Sequence, residues 1–155
     1  MKKIFLILAL ITIACIAITP GAYAAGDESA LEGKAAALDK KAGGPEGEKP
    51  IVERLEKEFK VDDARIKSLR DKKLGYGEIA IALSLAEKMP GGITDANVDK
   101  IMSMRKGPPV EGWGNIAKKL GTKLGPVISR VERVGSGKEG KDTGKARHKK
   151  DGENK

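Results

Sequence analysis

The sequence predicts an all-α protein: a small bundle of about five to six short helices built from two degenerate αα repeats and flanked by disordered ends. Three observations predict it. Apolar residues between Pro50 and Val134 recur at helical spacing. Two segments open with the same helix-entry device, Asp62 after Val61 and Thr94 after Ile93. No run of alternating residues bounded by hairpin turns competes with this pattern.

The N-terminus comes first. A basic start, Lys2-Lys3, precedes the apolar run IFLILALITIACIAI, then the helix breaker Pro20-Gly21, then Ala22-Tyr23-Ala24. This is the pattern of a secretory signal peptide over 1–24, with cleavage expected after Ala24. The competing readings are an uncleaved anchor and a lipoprotein signal at Cys15. Cleavage removes Cys15, the single cysteine, and predicts a periplasmic or secreted chain without thiol chemistry. It also lowers the formal net charge from +8 to +6, with 28 Lys/Arg against 22 Asp/Glu.

Residues 25–49 are rich in Ala, Gly and charge, hold two leucines and no aromatic residue, and are expected to be a flexible linker. The helical domain is expected over 50–134. Ile51, Val52, Leu55 and Phe59 mark its first helix, which Pro50 opens. In the next, Asp62 is placed as N-cap, with Val61 and Ile66 as a hydrophobic staple, and Gly75 is expected to end it in a left-handed conformation. A third runs through GEIAIALSLAEKM to Pro90-Gly91-Gly92. Thr94, with Ile93 and Val98, repeats the entry device. GWGNIAKKLG and LGPVISRVERV close the domain at Val134. The repeats span about 61–89 and 93–121. Residues 135–155 contain no large apolar side chain and are expected to form a disordered charged tail.

Within the repeats one phrase occurs twice: Gly75-Tyr76-Gly77 and Gly112-Trp113-Gly114, each followed by polar-Ile-Ala. Its starting point is offset by 37 residues, against 32 for the caps; the extra five are assigned to Lys106–Glu111. The first glycine is expected to take a positive φ, the second to permit a tight turn, and the aromatic to sit at a corner between helices. The competing reading makes Tyr76 and Trp113 a ligand platform.

Residues 115–134, NIAKKLGTKLGPVISRVERV, resemble a helix-turn-helix of the kind found in bacterial regulators. The likeness rests on Ile116-Ala117, Leu120-Gly121, Ile128 and Val131, with one extra residue in the turn. It implies that Lys123, Ser129, Arg130 and Arg133 face a nucleic acid or another polyanion. The tail residues Lys145, Arg147, Lys149 and Lys150 would add phosphate attraction.

Other chemistry is thinly provided for. His148 is the single histidine and lies in the tail. No catalytic residue, cofactor or metal site is expected. Asp62, Asp63 and Asp95 are read as helix-start carboxylates, although with Asp99 they leave a carboxylate-based activity open. Gly135 to Lys141 nearly matches a phosphate-binding loop, but Asp142 stands where Ser or Thr would bind magnesium. The segments 25–49, 50–134 and 135–155 carry −2, +5 and +3. No helix has the densely basic border of a membrane-inserting one, so no stable membrane insertion is expected after cleavage. The leading expectation is an exported, non-enzymatic binding protein whose partner is another envelope or secreted protein. The alternative is nucleic-acid or polyanion binding.

Overall fold

The computed structural model describes residues 25–45 and 47–138. The expected signal segment 1–24 and most of the tail, 139–155, lie outside the described residues. Seven helices fill the described chain: α1 (Ala25–Ala42), α2 (Lys49–Phe59), α3 (Asp63–Asp71), α4 (Tyr76–Ala86), α5 (Asp95–Lys106), α6 (Trp113–Lys119) and α7 (Leu124–Ser136). The fold is all-α.

Helix α4 is the axis of the bundle. Its sequence YGEIAIALSLA is apolar nearly all round, and each of its residues except Glu78 is buried. Such a helix is stable only when others surround it. Helices α1, α7, α5, α2 and α3 pack against it. The buried Ser84 hydroxyl donates to the Ala80 carbonyl at 2.8 Å, so it is not stranded. Helices α2 and α7 each bury one apolar stripe: Ile51, Leu55 and Phe59 on α2, and Leu124, Val127, Val131 and Val134 on α7.

The helix-entry devices stand where the side-chain pattern puts them. The Asp62 carboxylate accepts from the Arg65 N–H at 2.8 Å, and the Thr94 hydroxyl accepts from the Asn97 N–H at 3.2 Å. Ile66 and Val98 are buried, while Val61 and Ile93 pack half-buried against the same core.

Four expectations need correction. Residues 25–42 are not a flexible linker but helix α1, which packs on α7, α4, α2 and α6. Its buried stripe is narrow: Leu31, Ala35, Leu38 and Ala42, spaced at i, i+4, i+7 and i+11. Second, α7 continues two residues past Val134 and stops at Gly137, which takes φ +66. Third, Gly75 is extended, with φ −68 and ψ 158, and serves as N-cap of α4. The left-handed residue that ends the preceding turn is Lys73, at φ +64. Fourth, the five extra residues are not confined to the loop. Helix α5 has 12 residues where α3 has 9, and the remaining two lengthen the connection to α6.

Candidate functional site

The two Gly-aromatic-Gly phrases open helices in the same way. Gly75 and Gly112 are extended N-caps; Tyr76 and Trp113 are the first residues of α4 and α6. Both rings are buried, at 3% and 2% exposure, which places them among the core residues and not on a surface platform. An arginine from the preceding helix covers each. The Arg70 guanidinium lies 4.5 Å from the Tyr76 ring centre and Arg105 lies 5.0 Å from the Trp113 ring centre. Each arginine also donates to the carbonyl two residues before the aromatic. Arg70 Nη1 reaches the Leu74 oxygen at 2.5 Å and Arg105 Nη1 the Glu111 oxygen at 3.2 Å. The cation therefore ties together the helix it leaves, the turn and the ring.

A glycine at an N-cap has no side chain with which to cap. At both corners helix α1 supplies the missing carboxylate. Asp39 Oδ1 accepts from the Gly77 N–H at 3.3 Å, and Glu28 Oε1 accepts from the Trp113 N–H at 2.6 Å. A negative group beside these first-turn N–H donors, which have no partner within their own helix, is favoured by the aligned peptide dipoles. Glu28 and Asp39 are eleven residues apart, three helical turns or roughly 16 Å, so one helix spans both corners.

This explains Gly77 better than turn geometry does, and it sets Gly75 and Gly112 against the carboxylates of α1. A Cβ on Gly75 would sit 2.7 and 2.9 Å from the Asp39 carboxylate oxygens, and one on Gly112 would be 2.8 Å from Glu28 Oε2. A Cβ on Gly77 would strike the α1 backbone, 2.6 Å from both the Cα and the carbonyl carbon of Ala35. Gly114 is buried in the first turn of α6. Gly77 provides room for the α1 backbone.

Around this contact α1 is laced to the bundle by exposed or half-exposed pairs. Arg105 reaches Glu32 at 3.0 Å, Lys34 reaches Glu132 at 3.1 Å, and Lys41 donates to the Gly135 carbonyl at 2.5 Å. At the start of α2 the Tyr76 hydroxyl donates to Glu48 Oε2 at 3.0 Å. Burial, and then that carboxylate, push the Tyr76 phenol above its ordinary value of 10.0.

The residues singled out by the helix-turn-helix resemblance are distributed differently. Gly121 does make the turn, at φ +67. Arg130, however, is held by Glu87, with nitrogen–oxygen distances of 2.8 and 3.0 Å, and it covers the Phe59 ring at 5.4 Å. Arg133 forks onto Glu58 at 2.6 and 3.2 Å, which raises its guanidinium further above the ordinary arginine value. Both arginines thus clamp α7 to α2 and to the end of α4 instead of facing a polyanion. The outward face of α7 carries Gly125, Pro126, Ser129, Glu132 and Ser136. Ser129 turns back to the Gly125 carbonyl at 3.1 Å. Lys123 is exposed at the start of α7. Lys145, Arg147, Lys149 and Lys150 lie outside the described residues.

The candidate carboxylates are also dispersed. Asp62 caps α3, Asp95 pairs with Arg65 at 2.7 Å, and Asp99 pairs with Lys72 at 2.5 Å. Asp63 lies in the first turn of α3. Among the described residues no group of His, Cys, Asp and Glu is arranged to hold a metal ion, and no helix is long and apolar enough to cross a membrane. In the near-match to a phosphate-binding loop, Gly135 is part of α7, whereas Gly140, Lys141 and Asp142 lie outside the described residues.

Sequence reasoning missed Glu28 and Asp39 altogether. The signal that marks them is positional: each flanks the Leu31–Ala42 stripe on the side that meets the bundle. No known protein family, curated protein or solved structure matches the chain.

Proposed function

We propose that this is an exported, non-enzymatic helical binding protein of the cell envelope, and that it binds a helix in the groove formed by α4, α6 and α7. The observation that carries the reading is the way α1 occupies that groove. A helix laid in a groove is recognised through a few apolar anchors at i, i+3, i+4 and i+7 spacing. Here the anchors are Leu31, Ala35, Leu38 and Ala42, and Glu28 and Asp39 fix the register from the two ends.

The occupant is anchored by two leucines and two alanines. The connection to α2 through Gly43, Gly44, Pro45 and Gly47 keeps α1 nearby. Such a tether gives an effective concentration on the order of millimolar. A partner helix displaces it once its concentration relative to its own Kd exceeds that effective concentration relative to the Kd of α1. The signal-like N-terminus supports the exported location. The duplicated corner supports descent of α3–α4 and α5–α6 from one repeated unit, with a carboxylate contact at the first turn of each second helix, three turns of α1 apart.

Engagement of Arg130 and Arg133 with Glu58 and Glu87 weighs against the nucleic-acid alternative. A labelled peptide of residues 25–42, titrated into the chain beginning at Ala25, tests the groove. Saturable binding is expected, and substituting Gln and Asn for the peptide's Glu28 and Asp39 should weaken it about tenfold, some 1.4 kcal/mol. No binding at millimolar peptide would overturn the proposal.

A further inference from the structure

The connection between α5 and α6 presents apolar side chains that the bundle does not bury, and we propose that it docks the protein reversibly on an anionic lipid surface. Its chemistry is an apolar tip set among lysines. Pro108, Pro109 and Val110 are exposed, and Val110, at 69%, is the single exposed large apolar side chain among the described residues. The first unit makes the matching connection without such a tip. Between α3 and α4 the apolar residue is Leu74, and it is buried. The tip is held from both sides. The Gly107 N–H donates to the Ser103 carbonyl at 2.7 Å, and the Glu111 N–H donates to the Met104 carbonyl at 3.1 Å. The Glu111 carbonyl accepts from Arg105, and its carboxylate accepts from Lys119 at 2.6 Å. The loop is thus braced at its ends while its apolar residues face solvent.

Charge selects the partner. Residues 105–123 hold five Lys/Arg against one acid, Glu111, and so account for +4 of the +5 carried by residues 50–134. Arg105 is engaged within the fold, on Trp113 and Glu32. The lysines are not. Lys106 opens the loop, Lys118 and Lys119 stand on the exposed face of α6, and Lys123 follows the next turn. Lys119 joins this group to the loop through Glu111. Lys106, Lys118 and Lys123 form no ion pair among the described residues. Lysines beside an anionic headgroup layer draw a protein to it, and a short apolar element entering the interface adds the second signal that anchoring takes. A nucleic acid would meet the same lysines. However, the rings on which its bases would stack, Tyr76 and Trp113, are buried, and the side chain that is exposed is aliphatic. The docking is peripheral, since among the described residues no helix is long and apolar enough to cross a membrane. It makes no use of the groove that α1 fills.

Co-sedimentation of the chain beginning at Ala25 with vesicles of equal phosphatidylglycerol and phosphatidylcholine tests the surface. Pure phosphatidylcholine vesicles and single-stranded and duplex oligonucleotides are the other probes. Binding to the anionic vesicles alone is expected. Val110→Ser, which leaves the charge unchanged, should weaken it about fivefold. The triple variant Lys106→Gln, Lys118→Gln, Lys123→Gln should weaken it about a hundredfold. All four positions are exposed, so the Tm of both variants should match the parent. The chain beginning at Ala25 has no cysteine, so Val110→Cys carrying a nitrobenzoxadiazole dye reports on the tip alone. Its emission should shift to the blue on the anionic vesicles. Three results would each overturn the proposal: no sedimentation with anionic vesicles; sedimentation that the triple variant retains in full, or in which Val110→Ser binds as the parent does and the dye emission stays fixed; and lysine-dependent binding of an oligonucleotide without binding of vesicles.

Discussion

Replacing Gly77 with alanine should lower stability even though alanine is the better helix former. In a helix free of other contacts the change is worth up to about 1 kcal/mol in alanine's favour. Position 77 is not free. The added methyl would lie 2.6 Å from the Cα and the carbonyl carbon of Ala35. Carbon atoms settle at about 3.5–4.0 Å, so α1 must withdraw by about 1 Å. Ala35 meets the methyl with backbone, which cannot rotate aside. The same retreat stretches the 3.3 Å contact from the Gly77 N–H to Asp39 beyond hydrogen-bond range. Overpacking of this kind costs about 1–3 kcal/mol. Added to the lost contact and offset by propensity, the net loss is about 1–2 kcal/mol. At roughly 4–8 °C per kcal/mol for a domain near this size, thermal unfolding followed by circular dichroism resolves it easily. An unchanged or raised Tm for Gly77→Ala would refute the reasoning, because the methyl would then meet open space and α1 could not be docked over the α4 start.

Trp113→Ala should lower stability by about 3–5 kcal/mol in a denaturant titration, since the ring is buried under Arg105; an unchanged midpoint would mean that the ring is not a core corner. Tyr76 gives a pH dependence. Its phenol is raised above 10.0, so the fold favours the neutral form; that contribution is complete below about pH 10 and is lost as pH rises through the folded value. Tyr76→Phe should therefore flatten the alkaline limb of the stability profile, and tyrosinate absorbance in the chain beginning at Ala25, where Tyr76 is the one tyrosine, should rise late. If the proposed export holds, intact-mass analysis of the protein from its native cells should give an N-terminus at Ala25; retention of residues 1–24, or a lipid adduct on Cys15, would contradict the processing site.

What could be read in the sequence was local. Asp62 and Thr94 announce helix starts because a cap acts within three residues, and the apolar stripes of α2 and α7 are wide enough to register as periodicity. Helix α1 escaped because two of its four buried residues are alanines, whose value lies in letting backbones approach rather than in hydropathy. Its polar anchors act across 38 and 85 residues of chain, a separation that no local pattern encodes. For the same reason the glycines of the repeated phrase suggested turns. The object they avoid, a carboxylate or the Ala35 backbone, belongs to a distant segment. Arg130 and Arg133 illustrate the converse. Their spacing on one helix suggests a basic recognition face until Glu58 and Glu87 are placed opposite them.

The central claim is that α1 is a docked helix whose carboxylates cap the two Gly-aromatic-Gly corners. Amide NMR on the chain beginning at Ala25 tests it most directly. The account predicts helical shifts from about Glu28 to Ala42, hydrogen-exchange protection around Leu31 and Leu38, and displacement of the Gly77 and Trp113 amide resonances in the Asp39→Asn and Glu28→Gln variants respectively. Random-coil shifts and unprotected amides across residues 25–42, with Gly77 and Trp113 indifferent to both substitutions, would contradict it.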